Sequence, residues 1–260
     1  MVKSSKDKRD IYYRLAKESG YRARSAYKLL DLQEEYDIFR NVVRAVDLCA
    51  APGSWSQVLS KNILPKNENS DGNKYASEKS DESKCVSKIS DENKNADKNY
   101  EKARIVAVDL QEMAPIIGVK QIKGDITTCL TANKIIQHYG GKKAELVVCD
   151  GAPDVTGLHD IDEFVQAQLL LAALKIALQV LNPGGTFVSK IFKVKESSLL
   201  FSQLRIFFKC ITITKPKSSR SSSIESFVIC QEYSPKENLV CEDDLQKLFA
   251  NNIEPFIMSG

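Results

Sequence analysis

The sequence predicts an α/β fold, in which a mostly parallel β-sheet is covered by helices on both faces. Short runs rich in β-branched residues alternate with segments of helical periodicity, which is the pattern of strand–helix–strand units. The chain has 260 residues, of which 43% are hydrophobic, so it can build the full core of one such domain but not of two. We therefore expect a single domain over residues 1–260.

Seven strands are predicted from runs of β-branched and aromatic residues that are bounded by turn-forming residues. They are Val42–Leu48, Arg104–Asp109, Val119–Lys123, Glu145–Asp150, Gly185–Ile191, Ile211–Thr214 and Ser226–Gln231. Between the fourth and fifth strands, a long apolar helix is predicted to begin near Asp160 and to end at Asn182-Pro-Gly-Gly185. Ligands bind outside the carboxyl ends of the strands in such sheets, so residues at those ends are the candidates for a site.

The segment 62–102 has a different composition from the rest of the chain. It consists mostly of Lys, Asp, Glu, Asn and Ser, and it repeats a Ser-Asp-x-x-Lys unit at Ser70, Ser80 and Ser90. Such a segment buries too little apolar surface to offset the entropy lost on ordering. We predict a disordered, low-complexity insertion between two core elements.

Positive charge is concentrated at the amino terminus, although the formal net charge of the whole chain is only +3. Residues 1–28 contain nine lysines and arginines: Lys3, Lys6, Lys8, Arg9, Arg14, Lys17, Arg22, Arg24 and Lys28. This concentration predicts a basic surface for an anionic partner. A solvated, partly frayed terminus is the alternative interpretation.

Cysteine and histidine usage argues against disulfides and metal sites. The seven cysteines are scattered and odd in number, which predicts reduced thiols in an intracellular protein. The two histidines, His138 and His159, do not have zinc-ligand spacing, so we expect no metal. The longest apolar stretch, Leu169–Leu178, contains Lys175 and is too short to span a bilayer. With no hydrophobic signal region, a cytoplasmic protein is expected.

Acidic residues and a glycine turn stand at the ends of four predicted strands. The first strand leads into Asp47-Leu-Cys-Ala-Ala-Pro-Gly-Ser-Trp-Ser56, whose small residues allow close approach to a ligand, but the G-x-G-x-x-G phosphate fingerprint is missing. This favours a nucleoside cofactor such as S-adenosylmethionine over NAD. Asp109 ends the second predicted strand, Asp125 follows the third and Asp150 ends the fourth. Each alone is more typical of a turn or a helix cap, but together they indicate a binding site.

These residues also resemble a known family. Asp47-Leu-Cys-Ala-Ala-Pro-Gly-Ser-Trp55 and Asp150-Gly-Ala-Pro-Asp154 resemble the cofactor motifs of the FtsJ/RrmJ family of RNA 2′-O-ribose methyltransferases. Lys3–Tyr13, Gly20–Lys28 and Gly151–His159 are similar to its eukaryotic tRNA branch. The resemblance implies a Rossmann-like, seven-stranded class I S-adenosylmethionine-dependent methyltransferase fold. It also implies methylation of the tRNA anticodon loop, at the wobble nucleotide and at the nucleotide that opens the loop.

The resemblance assigns roles to individual residues. The catalytic tetrad of the family matches Lys28, Asp150, Lys190 and Glu225. The implied cofactor contacts are Gly53, Trp55, Asp109, Asp125 and Asp150. Positive charge near this site adds substrate-binding candidates, which are Lys8, Arg9, Arg24, Lys217 and Arg220.

The tetrad suits the reaction because a ribose hydroxyl is a poor nucleophile while it keeps its proton. Lys190 acts either as a neutral amine that removes this proton, or as a charged group that orients the hydroxyl while water takes the proton. Burial and the charge of Lys28 favour the neutral form, whereas the carboxylates favour the charged form. The sequence leaves both roles open.

The resemblance further implies auxiliary proteins, because in the relatives each tRNA position is selected with a separate subunit, one of helical-repeat and one of WD40 type. Two other interpretations stay open. One is a ribosomal RNA 2′-O-methyltransferase of the same family, and the other is a non-catalytic RNA-binding module that keeps the fold. The complete tetrad argues against the second.

Overall fold

The computed structural model describes residues 10–64, 103–153, 159–192 and 202–235. Its helices are α1 (Ile11–Glu18), α2 (Ala26–Tyr36), α3 (Ser54–Ile63), α4 (Cys129–His138) and α5 (His159–Val180). Its strands are β1 (Ala45–Leu48), β2 (Ile105–Asp109), β3 (Val119–Lys123), β4 (Ala144–Cys149), β5 (Leu181–Phe192), β6 (Phe208–Thr214) and β7 (Glu225–Tyr233).

All seven strands form one sheet in the order β3-β2-β1-β4-β5-β7-β6. The five strands from β3 to β5 are parallel, and β7 runs antiparallel to both of its neighbours. The predicted α/β class, seven strands and mostly parallel sheet are therefore confirmed. The chain order reverses between β1 and β4, which is where sheets of this kind bind ligands.

Two apolar clusters cover the two faces of the sheet. Val46 and Leu48 of β1 belong to the cluster that includes α4 and α5. Ala45 belongs to the second cluster, together with Leu29 of α2 and Val58 of α3. Side chains alternate between the faces of a strand, so each central strand supplies both clusters and is buried on both sides.

Strand β1 is shorter than predicted, because it begins at Ala45 and not at Val42. The carboxylate of Glu145 accepts hydrogen bonds from the backbone amides of Val43 and Arg44, at 3.1 and 2.7 Å. These amides are satisfied by a side chain, and the ladder starts after them.

The boundary between α5 and β5 also differs from the prediction. The helix ends at Val180 and the strand begins at Leu181, so the turn-forming residues Asn182–Gly185 lie within the strand. Gly184 has a φ of +81°, and the register between β4 and β5 shifts between Ala144 and Leu146. An irregular start to the strand accommodates residues that would otherwise form a turn.

Helix α3 ends at Ile63 and Leu64 is its C-cap, so the first residues of the predicted insertion 62–102 belong to the end of a helix. Residues 65–102 lie outside the described residues, as do Lys8 and Arg9. From Asp10 onward, the predicted basic segment 1–28 forms α1 and the first turn of α2. Within the described ranges, none of the helices has the length and apolar character needed to cross a bilayer.

Candidate active site

Four charged side chains meet where β4 and β5 reach the carboxyl edge of the sheet. The Lys190 ammonium lies 2.7 Å from Asp150 Oδ1 and 3.9 Å from Glu225 Oε2. The Lys28 ammonium lies 2.5 Å from Glu225 Oε1. The structure thus brings together all four residues of the predicted tetrad, in which each lysine contacts a carboxylate.

The elements explain this convergence. Asp150 follows β4 directly, Lys190 lies in β5, Glu225 opens β7, and Lys28 lies in the first turn of α2. Lys190 pairs with Phe227 across the antiparallel β5–β7 ladder. Glu225, two residues from Phe227, is therefore on the same face of the sheet and diagonal to Lys190.

Both lysines are buried, and Lys28 lies above an aromatic ring. Lys28 is 9% exposed and Lys190 is 7% exposed. The Lys28 Nζ atom lies 5.8 Å from the ring centroid of Phe227, within the range of a cation–π contact. The Phe227 ring in turn packs on Trp55, with centroids 5.6 Å apart. Sequence reasoning missed Phe227 because it lies in an apolar run that indicates only a core strand.

Glu225 is held in its charged form. Burial raises the pKa of this carboxyl. This rise is outweighed by the charge and hydrogen bond of Lys28, the charge of Lys190 and a hydrogen bond from Ser219, all of which lower the pKa. The net result is a pKa below the usual range of a glutamate. Glu225 is therefore an acceptor that keeps Lys28 in place at neutral pH.

A cleft of about 1010 Å³ opens beside the tetrad, along the carboxyl ends of β1 to β4. Asp109, Asp125 and Asp150 line it, as predicted from their positions at strand ends. The cleft is at the upper end of the size range of small-molecule sites. Its floor near β4 is formed by Gly151, where an added Cβ would lie 2.8 Å from Leu169 and 2.9 Å from Cys49.

The acids of the cleft are oriented by backbone hydrogen bonds. Asp109 accepts from the amides of Ala51 and Gln111, both at 2.8 Å. Asp125 accepts from the amide and the hydroxyl of Thr127, which lowers the pKa of this carboxyl. Each carboxylate oxygen has two lone pairs, so both residues can accept further hydrogen bonds from the hydroxyl or amino groups of a ligand. Two such hydrogen-bond acceptors suit a nucleoside, which carries hydroxyl and amino donors.

Gly53 and Trp55 do not lie on the wall of this cleft. Gly53 has a φ of +103°, and a Cβ there would lie 2.8 Å from both Arg22 and Ile116. Trp55 is 2% exposed and donates its Nε1 hydrogen to the carbonyl of Ser25 at 2.8 Å. In this structure the two residues shape the turn after β1 and anchor the start of α2.

A further acid, Asp47, lies behind the tetrad. It is 1% exposed and accepts a hydrogen bond from Ser56 at 2.6 Å. Burial, followed by the nearby charges of Asp150 and Asp109, raises the pKa of this carboxyl to about 7. The motif that begins in β1 contains Asp47, but nothing in the sequence distinguished a buried acid from an exposed one.

The loop between β6 and β7 is fastened to the amino-terminal helices. Arg24 forms an ion pair with Asp10 and donates to the carbonyl of Ser218. Asp31 accepts a hydrogen bond from the amide of Ser218 at 2.7 Å. Arg24 is thus engaged within the protein, and it holds the loop against α1 and α2.

The other two described substrate candidates are more accessible. The Arg220 side chain is 58% exposed and lies 3.4 Å from Asp10. The Lys217 side chain is 75% exposed and lies 4.0 Å from Glu34. Because such exposed pairs stabilise a fold very little, the Lys217 ammonium can also contact another anion.

Comparison with known proteins identifies the same family that the sequence motifs resemble. Residues 21–233 match the model of the FtsJ-like methyltransferase family. The human tRNA (cytidine(32)/guanosine(34)-2′-O)-methyltransferase is 54% identical over 247 residues, which cover 95% of this chain and 64% of the relative. The Schizosaccharomyces pombe protein of the same name is 51% identical, over 100% of this chain and 84% of the relative. The chain thus spans just under two thirds of the human relative.

More distant relatives extend this picture. The ribosomal RNA large subunit methyltransferase E of Pelagibacter ubique is 35% identical over 87% of this chain and 93% of the relative. A crystal structure of a ribosomal RNA methyltransferase from Plasmodium falciparum superposes with a TM-score of 0.62 at 24% identity, over 83% of this chain and 100% of that one. At that identity, the superposition confirms the fold alone. From the family match and the sequence identities together, we conclude that this chain belongs to the FtsJ-like methyltransferase family.

Proposed function

We propose that this protein is an S-adenosylmethionine-dependent methyltransferase that modifies ribose 2′-hydroxyls in the anticodon loop of tRNA. The observation that carries the proposal is the meeting of Lys28, Asp150, Lys190 and Glu225 beside the cleft. The human and fission yeast relatives, named for nucleotides 32 and 34, support these two positions as targets.

The cleft is the proposed cofactor site. S-adenosylmethionine, when bound, supplies a methyl group that is activated by a positively charged sulfur. Asp109 accepts hydrogen bonds from the ribose hydroxyls and Asp125 from the adenine amino group in this proposal, because their carboxylates are fixed with free lone pairs. Gly53 and Trp55 contribute through the turn and through the position of α2.

Lys190 is the proposed catalytic residue. Its ammonium is 2.7 Å from the Asp150 carboxylate and donates to the Asp150 carbonyl at 2.8 Å. A lysine ammonium has three donors, and one of them is directed at the Asp150 carbonyl, so a further donor can be directed at a ribose hydroxyl. In this proposal, Lys190 orients the hydroxyl while its ammonium group is held between the carboxylates of Asp150 and Glu225. Alignment of the reacting atoms then supplies much of the acceleration.

The surface formed by α1, α2 and the loop 215–220 is the proposed tRNA-binding surface. Lys217 and Arg220, with Lys8 and Arg9, contact phosphates in this proposal, while Arg24 positions the loop. Tyr13 is 40% exposed and offers a ring on which an unpaired base can stack.

The partners and the location extend the proposal. Auxiliary subunits of helical-repeat and WD40 type are supported by the family resemblance alone. A cytoplasmic location is supported by the scattered, odd-numbered cysteines. Affinity purification of the tagged chain from its own cells tests the subunits, and imaging of the same chain tests the location.

Mass spectrometry of ribose methylation tests the function. In tRNA from cells that lack this gene, we expect 2′-O-methylation at nucleotides 32 and 34 to be lost, as the relatives' names indicate. Reintroduction of the gene should restore it, whereas a Lys190→Ala gene should not. Intact tRNA methylation together with a missing ribosomal RNA mark would contradict the proposal and favour the ribosomal RNA alternative.

A further inference from the structure

The side-chain amide of Gln166 bridges the two strand ends that carry Asp150 and Lys190. Gln166 lies in α5 and is 3% exposed. Its Nε2 group donates to the carbonyl oxygen of Lys190 at 3.0 Å and to that of Gly151 at 3.3 Å. A helix side chain thus holds the backbone of both strands at the candidate active site.

The bridge lies where the β4–β5 ladder has ended. The last paired residues of the two strands are Cys149 and Ser189. The next residues, Asp150 and Lys190, are therefore joined by side-chain contacts and not by a backbone ladder. Gln166 supplies hydrogen bonds to backbone carbonyls at this point, where unpaired polar groups would otherwise be buried.

The helix also packs directly against the same backbone. Leu169, one turn after Gln166, is so close to Gly151 that an added Cβ would lie 2.8 Å from its Cδ2 atom. Helix α5 therefore holds Gly151 both by a hydrogen bond and by van der Waals contact. The residue after Asp150 has little freedom to move independently of the helix.

We propose that Gln166 is a positioning residue for methyl transfer, which sets the separation of the Asp150 and Lys190 side chains by holding the carbonyls of Gly151 and Lys190. The inference rests on the proposed function. The ion pair that depends on this spacing is short, at 2.7 Å. A displacement of about 1 Å in an active site can reduce the rate about a hundred-fold.

The first test replaces the donor with a side chain of similar size. Gln166→Met is compared with Gln168→Met, which makes the same change at an exposed position of α5. The full chain is purified with the subunits that copurify from its own cells. We expect kcat for tRNA methylation to fall about ten- to a hundred-fold in Gln166→Met, with unchanged KM for tRNA and cofactor. The control should match the wild type.

The second test uses the pH dependence of Gln166→Glu. A glutamate at this position donates a hydrogen bond only when it is protonated, and burial beside two carbonyl oxygens favours the protonated form. Its activity relative to the wild type should therefore rise as the pH is lowered from mildly alkaline to mildly acidic. A residue that acts only through packing would give a ratio that does not depend on pH.

The outcomes are distinct. Wild-type kcat in Gln166→Met would overturn the inference. Should that variant fail to fold, as judged by its thermal unfolding, the pH series on Gln166→Glu decides, and a flat ratio overturns the inference. Absence of tRNA methylation by the wild-type protein would contradict the proposed function itself. That outcome is seen in the wild-type assay and does not depend on the variants.

Discussion

Charged residues are arranged differently at the two edges of the sheet. At the amino edge, Glu145 accepts hydrogen bonds from the backbone amides of Val43 and Arg44, from the Arg44 guanidinium at 2.5 Å and from Asn182 at 2.8 Å. Arg44 also donates to the carbonyl of Lys143. This cluster fastens the starts of β1 and β4 and contacts several backbone groups.

At the carboxyl edge, the buried charged side chains contact fewer backbone groups than Glu145 and Arg44 do at the amino edge. The side chains of Lys28 and Lys190 are 11% and 8% exposed, and their main partners are two carboxylates. Burial of an ammonium costs several kcal/mol, which ion pairing recovers only in part. The comparison indicates that the amino-edge cluster stabilises the fold, and it is consistent with the proposal that the carboxyl-edge cluster carries out the chemistry.

Removal of Lys190 should have the largest effect on activity. In Lys190→Ala, we expect methyl transfer to tRNA to fall about a thousand-fold, because the hydroxyl loses the group that orients or deprotonates it. Cofactor binding should persist, since the cleft acids are unchanged. Transfer of tritium from labelled cofactor measures methyl transfer, and calorimetry measures cofactor binding. Lys209→Ala, at a lysine that is 69% exposed on β6, is the control. Equal activity of the two variants would remove the catalytic assignment.

Removal of Glu145 should instead affect stability. Glu145→Ala leaves four donors without their acceptor, so we expect a loss of about 2 kcal/mol in the free energy of unfolding. Because the site lies at the opposite edge of the sheet, kcat should not change. Urea denaturation with a constant m-value measures the loss. A variant with normal stability and impaired kcat would contradict the division between the two edges.

The buried acid Asp47 should make stability depend on pH. Its pKa in the folded protein is about 7, above the usual value of an aspartate, so the folded state binds the extra proton. Its contribution to stability is complete below about pH 4 and is lost as the pH rises to about 7. Asp47→Asn should remove up to about 1.4 kcal/mol per pH unit of this slope. Parallel stability curves of the two proteins over this range would show that Asp47 does not titrate as inferred.

The smallest effect is expected from Arg220. Arg220→Ala removes an exposed cation from the proposed tRNA-binding surface, so KM for tRNA should rise a few-fold without a change in kcat. The slope of log affinity against log salt concentration should decrease by about one. Filter binding over a salt series measures it, again with Lys209→Ala as control. An unchanged slope would indicate that Arg220 does not contact the RNA.

The sequence predicted some residues of the candidate site but not others. The sequence located Asp109, Asp125 and Asp150 because each follows a recognisable strand, and parallel strands end at one edge. Gln166 and Phe227 gave no such signal. Gln166 lies in a long apolar helix where a polar residue suggests the exposed face, yet it is buried.

By itself, the sequence determined the α/β class and the seven strands, because periodicity is a property of neighbouring residues. The identities of the four charged residues followed from the resemblance of the sequence to the FtsJ/RrmJ family. Only the tertiary structure decided the spacing of those residues. Lys28 and Glu225 are far apart in the chain, and the β5–β7 register and the packing of α2 bring them together. It also decided which acids are buried, since the burial that raises the pKa of Asp47 arises from helix α3 packing over β1.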